Sequence, residues 1–290
     1  MPELPEVEVV KRSLVNKIQN SIVKAVKIND GRLRYRVDKN KIKKIIGLRI
    51  KKISRRSKFL LFFFNNETVM LVHLGMTGKF FFINQKNTKY KTSFYYDINE
   101  DKDKKHDRVI FNLSKNRKLI YNDVRKFGFI KFDQKKNVDQ NLHLKNLGPE
   151  PLEKNFNFSY FKEYIINKNR TIKDILMDQK FISGLGNIYV NETLFFSGIK
   201  PTKKVKNLSE SEIRNIIKFT KKILSKAITL GGSSIKNFSS DNGKKGSFQQ
   251  HFNVYGKKGE NCPKKKCKGN IIKINLANRA SFYCKICQKY

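Results

Sequence analysis

Two groups of residues in this chain have types and spacings that could do chemistry. The first is Met1-Pro2-Glu3. A small second residue normally permits removal of the initiator methionine, which would leave Pro2 as a free secondary amine. An α-amino group titrates at about 8 and a lysine at about 10.4, so roughly a tenth of the former is neutral at pH 7. A terminal amine is therefore a ready nucleophile, and amines form Schiff bases with sugar aldehydes. Glu3 beside it could donate a proton to a departing sugar oxygen. Taken alone the signal is weak, because proline at position 2 is commonplace. The second group is Cys262, Cys267, Cys284 and Cys287, with four residues inside the first pair, sixteen between pairs and two inside the second. Two close pairs at either end of a β-hairpin supply the four tetrahedral ligands that Zn2+ takes in a closed, structural site. All four lie near the C-terminus, and in a reducing compartment such clustering favours metal over disulfides; free thiols are the alternative. Lys264, Lys265, Lys266, Lys268, Lys273 and Arg279 surround the cysteines. They suit a nucleic-acid-binding knuckle or, more plainly, a solvated face.

The rest of the chain must position these groups. Its 290 residues suit two domains and a small appendage. Lysine and arginine number 63 against 24 acidic residues, a formal charge of +39 spread along the whole length. An A/T-rich genome accounts for part of the lysine excess but not for the scarcity of acids, so a polyanion, and nucleic acid first, is the expected partner. The longest apolar run, Phe59–Phe64, is far shorter than the roughly 20 residues of a membrane span. The acidic start lacks a signal-peptide core, so a cytoplasmic location is expected, and the chain is expected to act as a monomer.

Residues from Pro5 to Ile18 read as a helix, with Pro5 in the first turn, Glu6 and Glu8 near its positive end, and Val7, Val10, Leu14 and Ile18 on one face. From Ile22 to Phe132 the pattern becomes short β-branched and aromatic runs, among them Phe59–Phe64, Val69–Leu74, Lys79–Ile83, Arg108–Leu113 and Phe127–Phe132. Such spacing predicts a β-sandwich or barrel. The polar stretch Asn84–Asp107 reads as an irregular insertion, and Leu147-Gly148-Pro149-Glu150-Pro151 as a linker. Helical periodicity follows. Its clearest helix has a capping box at Ser209 and Glu212, a staple from Leu208 to Ile213, and a core face through Ile216, Ile217, Leu224, Ala227 and Ile228. A Gly/Ser-rich loop, 231–246, leads to the cysteines.

Beyond these features, seven segments occur in a telling order: Met1-Pro2-Glu3-Leu4-Pro5-Glu6-Val7-Glu8, Arg55-Arg56-Ser57-Lys58-Phe59-Leu60, His73-Leu74-Gly75-Met76-Thr77-Gly78, Asp123-Val124-Arg125-Lys126-Phe127-Gly128, Leu147–Leu152, Gly184-Leu185-Gly186-Asn187-Ile188-Tyr189, and the terminal cysteine finger. Together they resemble the formamidopyrimidine-DNA glycosylases across nearly the whole chain. The resemblance implies an α+β fold: an N-terminal β-sandwich with flanking helices (1–147), a helical domain with a helix–two-turn–helix motif (148–250), and a C-terminal β-hairpin zinc finger (251–290). It implies a bifunctional glycosylase and abasic-site lyase of base excision repair, acting on double-stranded DNA that contains oxidised purines or abasic sites. Pro2 would be the Schiff-base nucleophile and Glu3 the proton donor, with Lys58 assisting β-elimination and Arg279 δ-elimination. His106, Arg125 and Arg170 would hold phosphates, and Lys173 and Asn187 would face the DNA backbone. Glu6 and Glu192 would support the pocket and the helical motif.

An enzyme acting on a base within a duplex must flip it and fill the gap. Met76, Arg125 and Phe127 supply a soft plug, a polar hook for the orphaned base and a flat wedge; a place in the core is the alternative for Met76 and Phe127 when the resemblance is set aside. The first cysteine pair is spaced more widely than in many members of the family, which enlarges one knuckle without removing a ligand. Two rival readings differ in class. An endonuclease VIII-like glycosylase acting on oxidised pyrimidines typically has Gly where Leu4 stands, so Leu4 favours purines. A non-catalytic nucleic-acid-binding zinc protein explains charge and cysteines but not Pro2-Glu3, Lys58 and the plug together.

Overall fold

The structure, a computed structural model, describes residues 1–84, 89–91, 104–233, 248–276 and 278–289. It divides into two compact units, residues 1–145 with 230–249, and residues 146–229 with 250–290.

The first unit opens with helix α1 (Leu4–Ile18), followed by β1 (Val23–Ile28), a short α2 (Lys39–Lys43), β2 (Ile50–Arg56), β3 (Phe59–Phe64), β4 (Thr68–His73), β5 (Lys79–Ile83), β6 (Lys89–Lys91), β7 (Asp107–Leu113), β8 (Arg117–Asn122) and β9 (Phe129–Gln134). Two antiparallel sheets form, in the orders β1-β7-β8-β5-β6 and β2-β3-β4-β9. Both sheets contribute to a single core: Leu60, Phe62, Phe64, Met70 and Val72 from one meet Phe80, Phe111, Leu119 and Tyr121 from the other. The Phe62 and Phe80 rings meet edge-on at 6.0 Å. Val7, Val10, Leu14 and Ile18 of α1 join that core, which is the face the helical period marks out. This is a β-sandwich with a flanking helix.

The β4 and β7 strands begin one residue earlier than the apolar runs suggest, and β9 begins two residues later, because Phe127 and Gly128 belong to a turn. The expected irregular insertion contains a real strand, β6, paired with β5. Residues 85–88 and 92–103 of that insertion lie outside the described residues, as do 234–247 of the Gly/Ser-rich loop.

In the second unit, α3 (Phe158–Ile165), α4 (Ile172–Met177), α5 (Asn187–Ser197) and α6 (Glu210–Thr229) precede the hairpin β10 (Ile271–Leu276) and β11 (Arg279–Cys284). Helix α5 is buried almost all round, from Ile188 to Phe195, as befits a central helix. Two turns join α4 to α5. Asp178 Oδ1 accepts from Lys180 N–H at 3.0 Å, Gln179 Oε1 accepts from Gly184 N–H at 2.8 Å, and Gln179 Nε2 donates to Leu185 O at 2.8 Å. That is a helix–two-turn–helix. The capping box of α6 forms as spaced, with Ser209 N–H donating to Glu212 Oε2 at 2.8 Å and Glu212 N–H to Ser209 Oγ at 3.2 Å. Ile213, Ile216, Leu224, Ala227 and Ile228 are buried on its core face, Ile217 is only half-buried, and Thr220 and Ile223 complete the face.

The cysteine hairpin is not a separate compact unit; it packs with the helices. Side chains from α4 and α5 bond the backbone of β11, which accounts for the grouping.

Candidate active site and metal centre

Because α1 starts at Leu4, Glu3 is its N-cap, and Pro2 and Glu3 are buried at the very start of the sandwich. The Glu3 N–H donates to Glu6 Oε2 at 2.8 Å. Glu6 is fully buried, and its other oxygen accepts from Ser233 N–H at 2.8 Å and Ser233 Oγ–H at 2.9 Å. The carboxylate so joins the helix start to the first residues of the Gly/Ser-rich loop, a tighter use of Glu6 than a dipole effect. The amino terminus here is that of Met1. Burial lowers the pKa of this amine; Glu3 and Glu6 pull it back up, Lys58 and Arg125 push it down, and the net shift is downward. Glu3, Glu6, Lys58 and Arg125 thus all act electrostatically on this one amine.

Lys58 reaches this place from the turn between β2 and β3, where Ser57 adopts the left-handed region at φ 55°. The Ser57 carbonyl accepts from Arg55 Nη1 at 2.8 Å, and Arg55 Nε donates to Glu8 Oε2 at 3.0 Å. Burial would raise the Glu8 carboxyl, but hydrogen bonds from Lys11, Arg12 and Arg55 outweigh it and hold it below the ordinary range. Glu8, assigned to the helix dipole by position, is a hub that fixes the Lys58 turn.

Met76 and Phe127 are exposed, at 38% and 44%, on two turns that touch. Gly75 has φ 61°, and a Cβ there would fall on the backbone of Phe127 and Gly128, so only glycine lets the turns meet. The Arg125 guanidinium lies 4.5 Å from the Phe127 ring centre. Two large apolar side chains left in water, with a guanidinium stacked on one, are out of place in a folding core. His106 is half-exposed in a single turn of 3-10 helix (Lys104–His106), with Nδ1 3.2 Å from Arg108 Nη2.

In the second unit, Arg170 is held by Asp178 Oδ2 at 2.7 Å and the Asp174 carbonyl at 3.1 Å. Lys173 is 1% exposed and donates to Ala280 O at 3.0 Å and Ser281 Oγ at 2.6 Å. Asn187 Nδ2 donates to the same Ala280 carbonyl at 2.9 Å, and Asn191 Oδ1 accepts from Phe282 N–H at 2.7 Å. Lys173 and Asn187 are thus engaged in bracing the strand that begins with the exposed Arg279. Glu192 is buried and accepts from the backbone N–H groups of Asn253, Val254 and Tyr255 at 2.9–3.0 Å, organising the chain that enters the cysteine hairpin.

The four cysteine sulfurs lie within 4.8 Å of one another. Two separations are 3.7 Å (Cys262–Cys287) and 3.6 Å (Cys267–Cys284). A tetrahedron of thiolates at about 2.3 Å from a metal has edges of about 3.8 Å, so the set could hold one ion. A Cβ at Gly269 would stand 2.7 Å from Cys284 Sγ, so this position must stay bare for the knuckle to close. Gln288 locks the far side, accepting from Cys284 N–H at 2.9 Å and donating to Ile199 O at 2.8 Å.

These features define an α+β protein with an amino-terminal Pro2-Glu3 site on a β-sandwich unit and a four-cysteine knuckle in a helix–two-turn–helix unit. Residues 1–130 match the formamidopyrimidine-DNA glycosylase N-terminal domain, and residues 147–239 match its H2TH domain. The chain is 40% identical to a formamidopyrimidine-DNA glycosylase of Rickettsia bellii over 289 residues, covering 100% of both, and 39% identical to one of Rickettsia felis, covering 99% of this chain and 98% of that one. Among solved structures it is similar to a complex between the Lactococcus lactis Fpg and an abasic site containing DNA, with TM-score 0.84, 34% identity and coverage of 99% and 100%. It is equally similar, with TM-score 0.84, 34% identity and full coverage of both chains, to a complex between wild-type Lactococcus lactis Fpg and an N7-Benzyl-Fapy-dG containing DNA. The chain belongs to the formamidopyrimidine-DNA glycosylase family, a family of DNA glycosylases.

Sequence reasoning singled out no role for Thr77, Asp123 or Arg55. Each acts through a contact distant in the chain, and no local pattern announces it.

Proposed function

We propose that this protein is a bifunctional DNA glycosylase and abasic-site lyase that removes oxidised purines from double-stranded DNA. The observation that carries the reading is the burial of Pro2 and Glu3 at the head of the sandwich, with the Glu3 N–H donating to the fully buried Glu6 carboxylate at 2.8 Å. After loss of Met1, the Pro2 nitrogen attacks C1′ of the flipped nucleotide. The base leaves, and Glu3 protonates the sugar ring oxygen as the ring opens. A secondary amine yields an iminium cation, which has no N–H proton to lose and so remains an electron sink. Loss of a C2′ proton, assisted by Lys58, then expels the 3′ phosphate. A second elimination, assisted by Arg279, expels the 5′ phosphate.

His106, Arg125 and Arg170 would hold phosphates, while Met76, Arg125 and Phe127 fill the gap left by the flipped base. Lys173 and Asn187 serve the DNA backbone by setting the strand that carries Arg279. The knuckle would hold one Zn2+ through Cys262, Cys267, Cys284 and Cys287; its role is structural, since four thiolates leave no open position for chemistry.

The preferred substrates are 8-oxoguanine paired with cytosine and ring-opened formamidopyrimidines. Guanine and 8-oxoguanine differ by a carbonyl and an N–H, so discrimination requires groups aimed at those atoms, where the wrong base leaves buried polar atoms unpaired. Competitive excision from matched duplexes carrying 8-oxoguanine, formamidopyrimidine, thymine glycol or dihydrouracil tests this. Preferential release of the two purine lesions is expected, and a clear preference for the pyrimidine lesions would overturn the assignment.

A further inference from the structure

The Met76 turn and the Arg125–Phe127 turn are tied by a buried pair. Thr77 Oγ1 donates to Asp123 Oδ1 at 2.5 Å, across 46 residues of sequence, and accepts the Arg125 N–H at 3.0 Å. Asp123 Oδ2 accepts from Gly128 N–H at 2.8 Å, just beyond Phe127. The Asp123 carbonyl accepts from Arg108 Nε at 2.8 Å, and Asp30 draws Arg108 and Lys126 together at 3.1 and 2.8 Å. Asp123 and Thr77 are both buried. One hydroxyl and one carboxylate therefore touch the backbone on both sides of Phe127, at Arg125 and Gly128, and the residue next to Met76.

We propose that Thr77 and Asp123 form a positioning clamp that makes the two turns one rigid element, so that Met76, Arg125 and Phe127 enter the duplex together. This rests on reading those three side chains as the gap-filling set. Side chains that replace a flipped base must be ordered before they stack, and order already present in the free protein is not charged against binding. Deleting the donor of a hydrogen bond to a buried carboxyl oxygen leaves that acceptor unsatisfied. Neither residue takes part in the chemistry at position 2.

The test uses the full chain and four variants: Thr77→Val, which keeps shape and loses the hydroxyl, Thr77→Ser, which keeps the hydroxyl, Asp123→Asn, and Phe127→Ala. Affinity is measured for a duplex holding a stable abasic-site analogue opposite cytosine. Unstacking is read from 2-aminopurine fluorescence next to the site. Cleavage of a single-stranded abasic oligonucleotide, where no gap needs filling, reports the chemistry. Thr77→Val is expected to weaken duplex binding about tenfold and blunt the fluorescence change. Single-strand cleavage should be unchanged, and Thr77→Ser should restore both duplex readouts. If Thr77→Val does not fold, Asp123→Asn is expected to show the same split. Wild-type duplex binding and fluorescence in the clamp variant, beside a defective Phe127→Ala, would overturn the clamp alone. If Phe127→Ala is also indistinguishable from wild type, the gap-filling reading fails and the clamp with it. Equal loss on single strands and duplexes would mark a general structural role and overturn the proposal.

Discussion

At the scale of single residues, His73 shows how a side chain near the amine is tuned without joining the chemistry. Its ring stacks on Phe129 at 5.4 Å and 19°, and its Nδ1 accepts the Gly75 N–H at 3.1 Å, which requires a neutral imidazole with its proton on Nε2. Burial first, then Lys58, Arg34, His143 and the amino terminus, lower its pKa from 6.5 to about 4. The folded pKa lies below the unfolded one, so the unfolded chain takes the proton first. Stability is therefore full above the unfolded value, declines as pH falls from about 6.5 to about 4, and is lost by roughly 3 kcal/mol below that. The melting temperature of wild type should fall more steeply between pH 7 and 5 than that of His73→Gln, whose amide oxygen can still accept from Gly75. Parallel curves would contradict the assignment. Residues of this scale were unevenly legible in the sequence. Pro2 and Glu3 are a weak signal by position alone and gain weight only from the segments that follow them in order. Lys58, one of many lysines, is visible only through its neighbours Arg55-Arg56-Ser57. Thr77 and Asp123 stand in two of the quoted segments, but their coupling is not legible, since nothing local joins residues 46 apart.

At the scale of elements, hydrophobic period located α1, α6 and the apolar strands β3, β4, β5 and β7, which bury most of their apolar residues, but not α2 to α5. It did not single out β2, an edge strand held in register by apolar β3, or β8, held between β7 and β5. Nor did it foresee Lys173 buried under β11, for lysine is almost never fully buried unless paired, and its partners lie 107 and 108 residues away. The cysteine hairpin was legible in its four cysteines and not in Gly269 and Gln288, which close it. If the knuckle holds Zn2+, wild type should carry about one zinc per chain by elemental analysis, and Cys284→Ser should lose it. The same variant should bind duplex DNA more weakly by about tenfold or more while the β-sandwich keeps its thermal transition. Undiminished DNA binding by chelator-treated, metal-free protein would contradict a structural zinc.

At the scale of the whole molecule, a formal charge of +39 on 290 residues suits a protein that gains affinity by releasing counterions from a phosphate backbone. Among the described residues no helix is long and apolar enough to cross a membrane. That charge brings nucleic acid to the surface without choosing a reaction; the choice falls to one nitrogen. The proposed nucleophile is Pro2, freed of Met1. Incubation with abasic-site DNA in the presence of borohydride, followed by mass mapping of the trapped adduct, is the test. A protein lacking Met1 and a single reduced cross-link at residue 2 are expected. A cross-link mapped only to Lys58, or strand cleavage with no trapped adduct, would contradict that assignment.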